Sequence, residues 1–548
     1  MELYKEIFLS KAGTLAKNIT EREKESVTHL KISGYINAKD FDVLDDMCTS
    51  WGYYDDDDNY IMDENEPPFL KVLDLGDCLM KGKAVLGEFT YHSKLEEVIL
   101  PKNLESTGNG YDGAFRDSVF LAKVVFPETL KEIGYGTFMC CDKLDNVNLP
   151  EKLEIIDSLA FSGCESLKSI IIPANVSYIG SSAFQFCESL RRFEIDERNT
   201  HFIVVDGVLF SKDKTKLISF PCGNSNKNYI IPDGVKVICD GAFAGSKIEN
   251  ITFPTSLEII EDWAFYGCHD LQMLYIPDSV IEIGELAFEF CSNINKIRLS
   301  NNLKVLNSQI FGSCNNLKEL EIPASVKKIE GMALAWTYNL ENLTLHDGLK
   351  ELNDDLKYTK IKKLYIPKTV KKIESGLAIL GRSEVNKIEY EVDEKNPYFC
   401  TIDGSLYSKD KTRLIAVFPI QKEKFIIPNG VQIIERFVFE ESCFEQIILP
   451  DTLATIEHRC FENCKKLREI ILPKSLKFLD FRAFDDCKNL EKITILATTP
   501  PELTQPSADC WKFLGDAKKV TLYVPIESLE TYKKTARWNE IIRIKPIQ

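Results

Sequence analysis

The chain has 548 residues and a formal net charge of −17, set by 84 Asp plus Glu against 67 Lys plus Arg. A field of that sign argues against nucleic acid and anionic membrane surfaces, where affinity depends on Lys and Arg. No apolar run approaches the ~20 residues that span a bilayer, and 44% hydrophobic content places the chain among ordinary globular material.

In chain order, residues 1–69 read as an N-terminal cap. They contain an amphipathic helix, an irregular strand over Val27 to Ile36, and an acidic loop with Asp55 to Asp58, Asp63 and Glu64. The loop lacks the spacing of a calcium loop, so a solvated surface is expected there. No signal peptide is visible at the amino terminus.

From about residue 70 a 23-residue period takes over. Phe115, Phe138, Phe161 and Phe184 are each 23 apart, as are Phe265, Phe288 and Phe311, and Phe461 with Phe484. Cys141, Cys164 and Cys187 keep the same step, as do Cys268, Cys291 and Cys314; so do Pro127, Pro150 and Pro173. One full unit, from Leu167, is LKSIIIPANVSYIGSSAFQFCES. Its L-x-x-I-x-I part alternates like a short strand with Ile170 and Ile172 inward, and Pro173 ends the strand by removing a ladder donor. Val176 and Ile179 return to the core. Ala183, Phe184 and Cys187 then fall at i, i+1 and i+4, which suits one turn of helix. A single unit cannot bury this surface, so units must stack. The pattern predicts an α/β repeat solenoid of 18–20 rungs, parallel β-sheet on one face and short helices or turns on the other.

The motif L-x-x-I-x-I-P-x-x-V-x-x-I-G-x-x-A-F-x-x-C resembles the BspA-like leucine-rich repeat, over residues 70–498. The resemblance implies a leucine-rich repeat right-handed superhelix. Two related segments, DERNTHFIVVDGVLFSKDKTKLISFP (196–221) and DEKNPYFCTIDGSLYSKDKTRLIAVFP (393–419), read as β-hairpin insertions at about 196–222 and 393–420, with Asp206-Gly207 and Asp403-Gly404 as their turns. Residues 325–390 are degenerate, with Leu334 in place of Phe. Residues 499–548 read as a C-terminal cap: a strand, a short helix carrying Leu529, Tyr532 and Trp538, and a final strand.

Signatures of enzymes are absent: there is no G-x-S-x-G, H-E-x-x-H, G-x-x-x-x-G-K-[ST] or strand-helix G-x-G-x-x-G. Two histidines adjoin cysteines, Cys268-His269 and His458-Arg459-Cys460, and a thiolate needs such a neighbour. Cys268, however, holds a periodic core position. Cysteines at equivalent places on stacked rungs lie within disulfide reach, but parallel rungs point side chains the same way, so buried reduced thiols are expected. On that reading Cys164→Ser buries an under-satisfied hydroxyl, at ~1–3 kcal/mol. Zinc would need four convergent ligands. No metal, cofactor or catalytic residue is predicted.

The strand position between the two inward residues points outward and is rich in β-branched and aromatic types. Ile171, Tyr275, Arg298, Tyr365 and Ile448 are the candidates for a binding face, because Tyr and Arg are enriched at interface hot spots and solenoids bind along one face. The family resemblance implies a non-catalytic binding or adhesion protein, on the cell surface or secreted, contacting proteins of a host or neighbouring cell. Carbohydrate capture by exposed tyrosines and a passive spacer that displays the hairpins are the alternatives, and the two hairpin insertions compete with the sheet face as the binding site.

Overall fold

The computed structural model describes residues 2–49, 52–54, 60–62, 69–82, 86, 93–108, 113–353, 356, 358–373, 388–418, 423–504, 520–540 and 543–547. The acidic loop at Asp55 to Asp58, Asp63 and Glu64 lies outside these residues.

Each repeat closes one turn of a parallel-strand β-solenoid, about 21 turns of about 23 residues. The parallel sheet starts early. Tyr4–Leu9 pairs with His29–Ile36, which pairs with Val72–Met80, then Glu97–Ile99 and Lys123–Val125. Helices Glu21–Ser26 and Ala38–Cys48 flank the second of these strands. Asp40, fully buried, anchors this region by accepting the N–H groups of Gly13, Leu15 and Asn37 at 2.6, 2.9 and 3.0 Å.

The described residues form two compact units. One comprises residues 1–273 with 283–291, the other 274–282 with 292–548. In both, a coil makes three faces. The L-x-x-I-x-I segment supplies a strand of three or four residues, as in Ser169–Ile172 beside Arg192–Ile195 in the first unit or Glu469–Leu472 beside Lys492–Ile495 in the second. The next apolar pair supplies a two-residue strand in a second parallel sheet, as in Ile155–Ile156 or Thr455–Ile456.

Of the short helices or turns expected on the third face, the structure has turns, although the A-F-x-x-C spacing suits a helical turn. The A-F-x-x-C segment is a run of tight turns bonded from coil to coil. Within one coil, Ala160, Ser162 and Cys164 donate to the carbonyls three residues back. The alternate N–H groups, of Leu159, Phe161 and Gly163, donate to Ser181, Ala183 and Gln185 of the next coil at 2.9–3.0 Å. In this coil the alternation satisfies the N–H groups of residues 159–164 without a helix, which matters because an unpaired buried N–H is costly. It requires a left-handed residue at two places per coil, such as Leu159 and Gly163, or Ser182 and Phe186.

The core is a column of buried rings. Phe115, Phe138, Phe161 and Phe184 stack nearly parallel with centroids 5.4–5.6 Å apart. Phe220, Phe243, Phe265 and Phe288 do so at 4.7–5.0 Å, and Phe439, Phe461 and Phe484 at 5.0–5.3 Å in the second unit. Beside the rings runs the cysteine column. Each thiol donates to the carbonyl of the preceding coil's Phe: Cys164 to Phe138, Cys187 to Phe161, Cys464 to Phe439, all at 3.1 Å. The cysteines among the described residues are free thiols.

The insertions are more than hairpins. Phe202–Val205 and Val208–Ser211 pair antiparallel through the Asp206-Gly207 turn, both residues at positive φ as a type I′ turn demands. A third strand, Lys216–Ser219, continues the meander and then pairs in parallel with Val237–Ile238, so the insertion is woven into the second sheet. The copy at Phe399–Ile402, Ser405–Ser408 and Arg413–Ala416 repeats this and joins Ile433–Ile434. A buried asparagine pins each start. Asn199 donates to the carbonyls of Pro173 and Val176 and accepts from the N–H groups of His201 and Phe202, all at 2.8–2.9 Å. Asn396 makes the equivalent set with Pro367, Val370, Tyr398 and Phe399.

At the carboxyl end Thr521–Val524 pairs with Lys492–Ile495 and with Ile544–Pro546. Tyr532 and Trp538, both buried, meet edge-to-face at 5.4 Å and bond the carbonyls of Ala497 and Pro501.

Candidate functional site

The adjacent Cys268 and His269 do not face each other. The thiol is fully buried and donates to the Phe243 carbonyl at 3.1 Å, while the exposed His269 sets Nδ1 2.8 Å from the Phe290 carbonyl. Cys460 is likewise buried, whereas His458 turns to Asp480 at 3.1 Å. Burial raises the Cys460 thiol well above its ordinary pKa, which disfavours the thiolate a nucleophile needs. Among the described residues no three His, Cys, Asp or Glu side chains are grouped to hold a metal.

The outward sheet row is therefore the surface to weigh. In the first unit Ile171 stands exposed on its strand, opposite Glu194. In the second unit Tyr275 and Arg298 lie on neighbouring strands, joined by the Ile276 N–H to Arg298 carbonyl bond at 2.9 Å. Tyr275 is 50% exposed, with the Lys296 ammonium 6.0 Å from its ring centroid. Arg298 is already engaged: its guanidinium pairs with Asp278 at 2.8 Å and donates to the Ile276 carbonyl at 2.7 Å.

Tyr365 sits three strands beyond Arg298, about 14 Å at the usual strand spacing, so it does not form one cluster with Tyr275. Its hydroxyl donates to Asp393 at 2.7 Å, and that bond pushes its pKa up to about 12. Arg298 and Tyr365 thus present ring or stem rather than free polar tips.

Ile448 has better company than the motif alone disclosed. Lys424–Ile426 pairs with Gln446–Ile448, followed by Glu469–Leu472. The outward row reads Ile426, Ile448, Ile471, with Ile426 60% and Ile471 57% exposed and Ile448 half-buried between them. The row ends at Thr494, which the fold buries although its position alternates outward. Ile426 and its counterpart Ile230, also exposed, were missed because their strands directly follow the insertions, where the 23-residue count is broken; the I-I-P that closes each strand was the available signal. The companion outward position carries Lys424, Gln446 and Glu469, so the isoleucines form a strip bordered by polar groups.

The family model for the BspA type leucine rich repeat region matches in six copies, over residues 87–213, 218–341, 271–378 and 420–533. The chain belongs to the BspA-type leucine-rich repeat family. Among solved structures, a leucine-rich repeat protein from Eubacterium ventriosum is similar with a TM-score of 0.51 and 21% identity, over 67% of this chain and 85% of that one. A leucine rich cell surface protein from Faecalibacterium prausnitzii aligns at TM-score 0.45 and 20% identity, over 63% of this chain and 95% of that one. A leucine-rich repeat protein from Bacteroides ovatus gives 0.40 and 23%, over 74% and 90%. No curated protein sequence matches the chain. The likeness to the Eubacterium protein concerns the fold. No helix among the described residues is long and apolar enough to cross a membrane.

Proposed function

We propose that this BspA-type repeat chain is a non-catalytic binding protein of the cell surface or extracellular space, which recognises another protein through its outward sheet row. The observation that carries this reading is the strip Ile426–Ile448–Ile471. Three isoleucines in register on consecutive strands keep an apolar stripe in water, where a row of Thr, Lys or Glu would serve the sheet as well. Cross-strand packing among them contributes only a few tenths of a kcal/mol per pair, which does not by itself account for exposed apolar area. Tyr275 offers a second, aromatic contact on the same kind of row.

The test is a screen of the purified chain against extracellular proteins and glycans, repeated with Ile426→Glu/Ile471→Glu and with Tyr275→Ala/Tyr365→Ala. A protein ligand lost in the first variant, with the circular dichroism unchanged, supports the reading. A ligand retained by both variants moves recognition off this row. A chain that binds only glycans, or nothing, contradicts it in favour of carbohydrate capture or a spacer role.

A further inference from the structure

The turn face of the first unit carries a feature that the sheet row does not explain. Phe186, Trp263, Tyr266 and Phe290 form one connected aromatic patch. Tyr266 meets Phe186 edge-to-face at 6.0 Å, Phe290 edge-to-face at 5.4 Å and Trp263 at 4.8 Å. Trp263 and Phe290 are exposed and the other two half-buried. The patch is assembled across the first insertion: Phe186 comes from the coil before it, and its ring lies over Gly245 in the coil after, where any Cβ would strike it.

Three of the four rings stand on the left-handed positions that recur from coil to coil on this face. Phe186, Trp263 and Phe290 occupy the left-handed turn positions, with φ of 56, 58 and 59°. Glycine holds some of these positions, as at Gly136, Gly163, Gly241 and Gly267, and Leu159, Leu286, Cys140 and Ser313 hold others. A side chain there carries the steric cost of its Cβ, a cost these three aromatic residues share with Leu159 and Leu286.

Charge gives the ligand its chemistry. The turn segments 180–188, 239–247, 261–270 and 284–291 hold seven carboxylates and one lysine, Lys247. Lys247 is already paired with Glu188 at 2.9 Å. Asp262 accepts the Glu285 N–H at 2.7 Å on one oxygen, and its other oxygen has no hydrogen bond or ion pair among the described residues. Glu289 is 4% exposed, and its carboxylate has no hydrogen bond or ion pair among the described residues. Burial first and then the Glu289 charge raise the pKa of the Tyr266 phenol, and burial raises that of Glu289 itself.

We infer that this acidic aromatic patch docks an arginine-bearing basic segment of a partner protein, guanidinium groups stacking on Trp263 and Phe290 and pairing with Glu289 and Asp262. A guanidinium is the group that stacks on aromatic faces while its fork fills carboxylates. A neutral saccharide would gain from the rings but nothing from the surplus of carboxylates. The inference stands on a different face from the sheet row and does not depend on it.

The experiment measures binding of fluorescent octa-arginine, octa-lysine and maltohexaose to the full chain by anisotropy. Octa-arginine is expected to bind at least threefold tighter than octa-lysine, with affinity falling as salt rises. Trp263→Gly/Phe290→Gly should weaken it at least tenfold while the melting temperature holds or rises, since glycine relieves both left-handed positions. Glu289→Gln should weaken it about threefold and flatten the salt dependence. A control on the sheet face that removes two carboxylates, Glu319→Gln/Glu321→Gln, should leave binding unchanged. Affinity within twofold of the parent in the glycine variant overturns the proposal, as does a melting temperature several degrees lower with binding retained, which would make the patch packing only. Maltohexaose binding without octa-arginine binding overturns it as well.

Discussion

The ring column makes a prediction that can be worked from the coordinates. Phe161 is fully buried and stacks between Phe138 at 5.4 Å and Phe184 at 5.6 Å. Truncating a buried Phe to Ala costs about 3–5 kcal/mol through lost transfer energy and the cavity left behind. The two ring contacts, worth about 0.5–1.5 kcal/mol each beyond area, push the expectation for Phe161→Ala to about 4–8 kcal/mol. Phe161→Leu should cost only about 1–2 kcal/mol, because the same position in another coil is held by Leu334, itself fully buried. Urea titration followed by far-UV circular dichroism reads both. Each coil contacts mainly its neighbours, so the Ala variant should also show an early transition for the coils around residue 161 rather than a uniform shift. A loss below about 1 kcal/mol for Ala, or a Leu variant as damaged as Ala, would refute the stacked-core argument.

The other predictions concern the supports of that core. The Cys164 thiol has an acceptor, so Cys164→Ser should cost about 1 kcal/mol or less, below the figure expected when no partner was in view, and Cys164→Ala about 1–2 kcal/mol. Ser118, Ser246 and Ser442 already occupy this place, all buried; a Ser variant weaker than the Ala variant in the same melt would contradict it. Because burial holds the column thiols far above the ordinary thiol pKa, a thiol reagent should label exposed Cys443 at once and Cys164 or Cys187 only on unfolding, as peptide mapping would show. Asn199→Ala removes four hydrogen bonds at the root of the first insertion and should cost about 2–4 kcal/mol, seen as early proteolysis between residues 196 and 222; unchanged protease resistance would count against it. Asp142 has its pKa pushed up to about 6, by burial first and then by the charges of Glu165 and Asp117. A carboxyl raised in the fold above its unfolded value near 3.9 is favoured protonated, so it costs stability above about pH 6 and nothing below about pH 4. Asp142→Asn should therefore raise the melting temperature at pH 7 and leave it unchanged at pH 4; an equal shift at both values would be inconsistent with this sign.

The period, the Phe and Cys columns and the two insertions were legible because each rests on residue type at fixed spacing. The turn face was not, since Ala183, Phe184 and Cys187 at i, i+1 and i+4 mimic a helical stripe. What excludes a helix is coil-to-coil bonding, such as Leu159 N–H to Ser181, that no local pattern displays. Left-handed positions normally announce themselves through glycine, and here Leu159, Trp263 and Phe290 hide them. Of the binding candidates, exposure of Ile171 and Tyr275 follows from alternation alone. The pairing of Arg298 with Asp278 and of Tyr365 with Asp393 depends on side chains from other segments. Phe186 and Tyr266 are 80 residues apart in the chain, and only the excursion of the insertion brings their coils together.

The claim that the sheet row is the recognition surface is tested most directly by hydrogen exchange on the chain, alone and bound to a protein ligand from the extracellular panel. The account predicts new protection confined to Lys424–Ile426, Gln446–Ile448 and Glu469–Leu472. Protection that spares these strands while the ligand remains bound would contradict it.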